Sequence, residues 1–166
     1  MTNIVIMLIL LTGPYLLARS VSFFTGGRTI NIRSAAAWGA GILFIFTGIG
    51  HFVQTEQLTW MLPDWVPQRT FLIYATGVLE FVIAAGFFLK KTRWFSGVIA
   101  IVVLVVFFPA NIYAAFKHIP MSGNEWGPIY LLVRGPLQAI IISWIYWFVA
   151  KKPDNSFKPT PLRGAA

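Results

Sequence analysis

Five long stretches of apolar residues constrain this fold more than any other feature of the sequence. They cover residues 3–24, 35–53, 71–89, 94–116 and 128–150. A helix that crosses a bilayer needs about 20 mostly apolar residues, and each stretch reaches or approaches that length. We therefore predict an all-α integral membrane helical bundle with five spans. It forms one domain over residues 1–150, followed by a disordered basic cytoplasmic tail over residues 151–166.

The first stretch is also compatible in length with a secretory signal peptide. A signal peptide begins with a positively charged region, whereas this chain begins Met1-Thr2-Asn3. We therefore interpret the first stretch as a retained amino-terminal helix.

The composition excludes a soluble protein and several kinds of active site. Hydrophobic residues make up 57% of the chain, charged residues 11%, and the mean hydropathy is +0.73. A soluble domain carries about 25% charged residues. Cysteine is absent, and the sequence has no GxxxxGK[ST], GxGxxG or HExxH motif. We assign no catalytic residue and no metal site, and we lean against a self-contained enzyme.

The basic residues predict the orientation of the spans. The chain has 13 Lys and Arg against 5 Asp and Glu, for a net charge of +8. Ten of the basic residues flank one set of span ends, which by the positive-inside rule is cytoplasmic. The amino terminus is then outside and the carboxyl terminus inside, in a bacterial inner membrane, and the charge does not indicate nucleic-acid binding. The ten are Arg19, Arg28, Arg33, Lys90, Lys91, Arg93, Lys151, Lys152, Lys158 and Arg163; Arg69 and Lys117 lie in the opposite loops.

Five polar residues inside the spans form the candidate site. They lie on four spans, and with alternating span directions all five fall in the outer half of the bilayer. Hydrocarbon offers no polar partner, so each is expected to find one within the protein. We predict a Glu80–Arg134 ion pair with the other three as hydrogen-bond partners. The cluster is either structural or ligand-binding, and a proton or redox relay is less favoured. The residues are His51, Glu80, Asn111, Arg134 and Gln138.

Small residues and prolines shape the surroundings of this cluster. Gly77, Glu80 and Ala84 share one helix face, where a neighbouring helix can approach closely. Pro109 frees a backbone carbonyl that the Asn111 amide can satisfy. A similar small-residue stripe on the second span consists of Ala37, Gly41, Gly48 and His51.

The loop of residues 54–70 combines apolar residues with two prolines. Pro63 and Pro67 bar a long helix there. We favour a surface segment anchored in the membrane interface by Trp60 and Trp65, with a lid over a cavity as the alternative.

Five motifs in order resemble the DoxX-like family of small multi-pass bacterial membrane proteins. They are FTGIGHF at 46–52, MLPDWVP at 61–67, TGVLE at 76–80, PANIY at 109–113 and RGPLQ at 134–138. The resemblance implies a four-helix membrane core, to which this chain adds one amino-terminal span. Some members of that family are subunits of quinone-linked sulfur oxidation or redox-maturation systems. The absence of cysteine excludes a thiol-disulfide role for this chain.

Two functions follow as expectations. The first is a non-catalytic or accessory subunit linked to respiratory or redox processes, with the lipid bilayer and a membrane protein as its partners. The alternative is a binder or transporter of a small amphiphile, such as a quinone, at the outward-facing polar cluster. No resident cofactor is implied by the sequence.

Overall fold

The computed structural model describes residues 2–25, 31–120 and 123–151, and within them it is helical without a strand. The predicted tail beyond Lys151 lies outside the described residues, as does Arg28. The 3-10 segment Asn124–Tyr130 precedes the last long helix, and the π-helical segment Tyr146–Ala150 continues it. The α-helices are α1 (Thr2–Phe24), α2 (Ile32–Val53), α3 (Thr55–Trp60), α4 (Arg69–Phe88), α5 (Arg93–Phe116) and α6 (Leu131–Ile145).

Among the described residues, five helical segments are long and apolar enough to cross a membrane, as expected of a multi-pass membrane protein. They are Asn3–Phe24, Ile32–Val53, Arg69–Phe88, Arg93–Phe116 and Asn124–Ala150. The five predicted helices are therefore confirmed, although α2 begins earlier than residue 35. It does so because the Asn31 side chain accepts a hydrogen bond from the Ser34 backbone N–H and caps the helix.

Helix α2 packs closely against α4 through glycines. A Cβ atom built on Gly48 would lie 2.9 Å from the Phe81 ring, and one on Gly77 would lie 2.8 Å from the Cβ atom of His51. No side chain fits at either position without displacing its neighbour. The small-residue stripes predicted on these two helices thus form their contact surface.

A hydrophobic core lies along the middle of the bundle. Phe87 of α4 is fully buried there beside Phe44 of α2, with their ring centroids 5.7 Å apart. Helix α1 contributes the fully buried Leu11. The core also borders a cavity at one end of the bundle, because both share Leu43, Phe44, Leu137 and Ile141.

Arginines cap helix ends at the basic end of the bundle. The Arg93 Nε atom donates to the Phe87 carbonyl at the end of α4, over 3.0 Å. The guanidinium of Arg33 donates to three carbonyls at the end of the last helical segment, and these belong to Trp147, Phe148 and Lys151. Because the last carbonyls of a helix have no partner within it, both arginines stabilise helix ends as well as carrying charge.

Candidate functional site

A cavity of about 480 Å³ lies between α2, α4, α5 and α6, at the end of the bundle where α3 lies. We call this the α3 end. Small-molecule sites occupy about 300–1,000 Å³ and combine apolar walls with a few polar groups. The structure places every residue of the predicted polar cluster on the wall of this cavity, namely His51, Glu80, Asn111, Arg134 and Gln138.

Most of the cavity wall is apolar. Helix α2 contributes Leu43 and Phe44, and the first turns of α1 contribute Ile4 and Met7. The opposite wall comes from α5 and α6 and consists of Leu104, Phe107, Leu137 and Ile141. The polar cluster therefore faces a space that is otherwise suited to hydrocarbon.

Glu80 is the buried acid of the site. It lies on α4 and is 8% exposed. Its Oε1 atom is 3.6 Å from the Nε2 atom of His51, whereas its buried Oε2 atom has no hydrogen-bond partner within residues 2–25, 31–120 and 123–151. An unpaired buried acceptor costs free energy, and more so when it is charged. Within the described residues, this oxygen is therefore the fully buried polar atom of the cluster that has no hydrogen bond.

His51 is held in place from α4. Its Nδ1 atom lies 3.1 Å from the Ile73 carbonyl oxygen and 3.0 Å from the Thr76 hydroxyl oxygen. The ring crosses from α2 at the position where Gly77 lets the two helices approach. These contacts direct the other ring nitrogen towards Glu80.

Arg134 does not form the predicted direct ion pair with Glu80. The side chain of Tyr130 is its hydrogen-bonding neighbour, and Glu80 is close enough to attract it electrostatically. Tyr130 precedes Arg134 by four residues, so the two share a helix face. The contact within 4 Å of Glu80 comes instead from His51, because the close approach of α2 to α4 brings the imidazole nearer.

The two amides of the cluster both donate to backbone carbonyls of α5. The Asn111 Nδ2 atom donates to the Phe107 carbonyl over 3.1 Å, and Gln138 Nε2 donates from α6 to the Leu104 carbonyl over 2.7 Å. Pro109 frees the carbonyl of Val105, four residues before it. The Asn111 amide therefore satisfies a different carbonyl from the one that the sequence predicted.

Helix α3 and the turn after it border the cavity. Leu58, Met61 and Leu62 line it, and Met61 is only 7% exposed. Trp65 lies on the outer side and is 82% exposed. The segment therefore borders the cavity, as the lid alternative requires, whereas the anchoring of Trp60 and Trp65 in the membrane interface stays a prediction.

Two polar residues of the site were not predicted from the sequence. Thr76 contacts His51, and Tyr130 is buried beside Arg134. The spacing of four residues between Tyr130 and Arg134 does indicate that Tyr130 belongs to the site, because it places both side chains on one helix face. Thr76 carried no comparable signal, since threonine is common in membrane helices and its role depends on the α2–α4 contact.

Comparison with known proteins identifies a family without a described function. No curated protein and no solved structure matches the chain. One family model matches residues 40–149, a range that contains all five cluster residues and leaves out α1. Because this match covers more than half of the 166 residues, the chain belongs to the family described as "Domain of unknown function (DUF8561)".

Proposed function

We propose that this protein binds a small amphiphilic molecule in the cavity at its α3 end. The observation that carries the proposal is the buried Oε2 atom of Glu80, which has no hydrogen-bond partner among the described residues and belongs to a residue that lines an apolar cavity of about 480 Å³. Because the last torsion of a glutamate side chain is broad and roughly two-fold, a small rotation of the carboxylate would present this oxygen to the cavity, and a hydrogen bond to a ligand there would remove the cost of burying it unpaired.

A purely structural cluster would satisfy its own polar groups. Buried polar atoms in folded proteins nearly always have hydrogen-bond partners, and exceptions call for a specific explanation. The amide nitrogens of Asn111 and Gln138 follow this rule, whereas the buried Oε2 atom of Glu80 breaks it within the described part of the chain. This contrast favours ligand binding over structural stabilisation.

The arrangement of the walls also defines how the ligand lies. Its polar group faces Glu80 and Arg134, and its apolar part lies against Leu104, Phe107 and Leu137. Leu58 of α3, with Met61 and Leu62 of the turn after it, adds apolar wall at this end of the cavity. Apolar walls lower the local dielectric constant, which strengthens the electrostatic interactions of the polar group.

We also propose that the chain is related to the DoxX-like family, that it lies in the bacterial inner membrane, and that its α3 end faces outward. The charge distribution supports the orientation, because the helix directions put Lys90, Lys91 and Arg93 at the opposite end. The cavity would then open towards the outer side.

Mass spectrometry of the mildly solubilised protein tests the proposal. We expect the wild-type protein to carry a lipid-soluble small molecule in amounts approaching one per chain. Thr47→Phe should reduce it strongly, because Thr47 lines the cavity and its hydroxyl bonds only carbonyls of its own helix. A larger side chain there fills the binding space.

Val105→Phe is the matched control, since Val105 is 55% exposed on α5 and does not line the cavity. This variant should retain the molecule. Equal retention by Thr47→Phe, or a wild-type protein that carries a protein partner and no small molecule, would contradict the proposal. The second result would favour the accessory-subunit function.

A further inference from the structure

The polar groups of the cavity specify what kind of head group it accepts. We infer that the ligand is a neutral amphiphile bearing a hydroxyl group, which donates to Glu80 and accepts from Arg134. This inference rests on the proposed function and narrows its ligand class.

Acceptors predominate among the groups that the protein leaves available. Glu80 Oε2 has no partner. The amide nitrogens of Asn111 and Gln138 donate to carbonyls, which only accept, so the orientation of both amides is fixed. Each amide therefore retains its oxygen, an acceptor, for further hydrogen bonding. A ligand that carries a donor matches this set.

Arg134 contributes the main donor. Its guanidinium carries five N–H groups, and the Tyr130 side chain is its hydrogen-bonding neighbour. Because the Tyr130 side chain has a single oxygen, it cannot use all five N–H groups, and a remaining one can donate to an oxygen of the ligand. A hydroxyl group is both a donor and an acceptor, so it can satisfy Glu80 and Arg134 at the same time.

The charges of the cluster disfavour ionic head groups. A carboxylate would pair with Arg134 but would bring its charge against Glu80. An ammonium group would pair with Glu80 but would bring its charge against Arg134, and repulsion is strong in a medium of low dielectric constant. A neutral hydroxyl avoids both penalties. An ether lacks the donor and leaves Glu80 Oε2 unpaired.

Four probes of equal chain length test this assignment: decanol, decyl methyl ether, decanoate and decylamine. The readout is the rise in Tm of the full chain in lipid nanodiscs as each probe is titrated. Because decanol can donate a hydrogen bond to the Glu80 carboxylate and the ether cannot, decanol should half-saturate at a concentration roughly tenfold or more below that of the ether. Decanoate and decylamine should also bind more weakly than decanol.

Glu80→Gln distinguishes specific binding from effects on the bilayer. The glutamine amide can donate to the ether oxygen, so the preference for decanol over the ether should shrink to less than about threefold. Val105→Phe should keep the wild-type preference, because Val105 lies outside the cavity.

Three results would overturn the inference. They are equal binding of decanol and its ether by the wild type, tighter binding of either ionic probe, and a preference for decanol that persists in Glu80→Gln. A small molecule that co-purifies with the wild type and is lost in Thr47→Phe would in those cases still support the proposed function. Failure of both experiments would overturn the two together.

Discussion

At the scale of single residues, Glu80 has one partner for its two carboxylate oxygens. His51 approaches Oε1 to 3.6 Å, and Oε2 has no hydrogen-bond partner in the part of the chain that the structure describes. Arg134 balances the charge from a greater distance while it contacts Tyr130. The charges of the cluster are thus coupled, so that removal of Arg134 raises the free-energy cost of burying the Glu80 carboxylate.

Replacement of Arg134 tests this coupling. We expect Arg134→Leu to lower the free energy of unfolding by about 2 kcal/mol, because the Tyr130 contact and the charge near Glu80 are both lost. In a Glu80→Gln background the same change should cost about 1 kcal/mol less, since no buried carboxylate is then left uncompensated. Unfolding in mixed micelles measures both values.

Arg69→Leu is the control for the loss of a cation. Arg69 Nη1 contacts Asp64 Oδ1 at 2.8 Å, but the Asp64 side chain is 91% exposed. Such surface pairs contribute about 0–1 kcal/mol, so the control should change stability little. Additive losses in the Arg134 and Glu80 variants would refute the coupling.

At the scale of the elements, the contact between α2 and α4 sets the geometry of the site. Gly48 and Gly77 bring the two helices together, and the same contact holds His51 against Ile73 and Thr76. The position of the His51 imidazole therefore depends on Gly77, whose lack of a side chain lets α2 approach α4. A change at Gly77 should act on both stability and the site.

We expect Gly77→Ala to destabilise the protein by about 1–3 kcal/mol, the usual cost of overpacking. Its Cβ would lie 2.8 Å from His51 Cβ and from the Phe52 ring, so α2 must move away from α4. Gly50→Ala is the matched control, because a Cβ at Gly50 meets nothing within 4 Å. The control should be neutral or up to about 1 kcal/mol more stable, owing to the better helix propensity of alanine. Equal effects of the two substitutions on thermal unfolding would contradict this role of Gly77.

At the scale of the whole molecule, the sequence predicts what depends on helix length and direction. Span length gave the five helices, and depth along alternating spans placed His51, Glu80, Asn111, Arg134 and Gln138 at one end of the bundle. The partners within that set depend on interhelical distances of a few ångströms. Since these follow from packing at positions such as Gly77, the sequence pattern could not distinguish His51 from Arg134 as the neighbour of Glu80.

The contacts of the basic residues also could not be predicted from the sequence. Arg33 and Arg93 contribute to the charge asymmetry that predicts the orientation. Their hydrogen bonds to the carbonyls at helix ends were not predicted, because those ends come together only in the folded bundle. A charge count gives the side of the membrane on which a residue is expected, whereas its contacts require the tertiary structure.

The proposed orientation determines the side on which the α3 end lies, and single cysteines can test it because the native chain has none. Glu56 is exposed on α3, and Lys91 is exposed in the turn between α4 and α5 at the opposite end. With the positive-inside orientation, a membrane-impermeant maleimide should label Glu56→Cys on intact bacterial cells and Lys91→Cys only after permeabilisation. Each variant is the control for the reactivity of the other. Labelling of Lys91→Cys from outside with protection of Glu56→Cys would reverse the orientation and turn the cavity towards the cytoplasm.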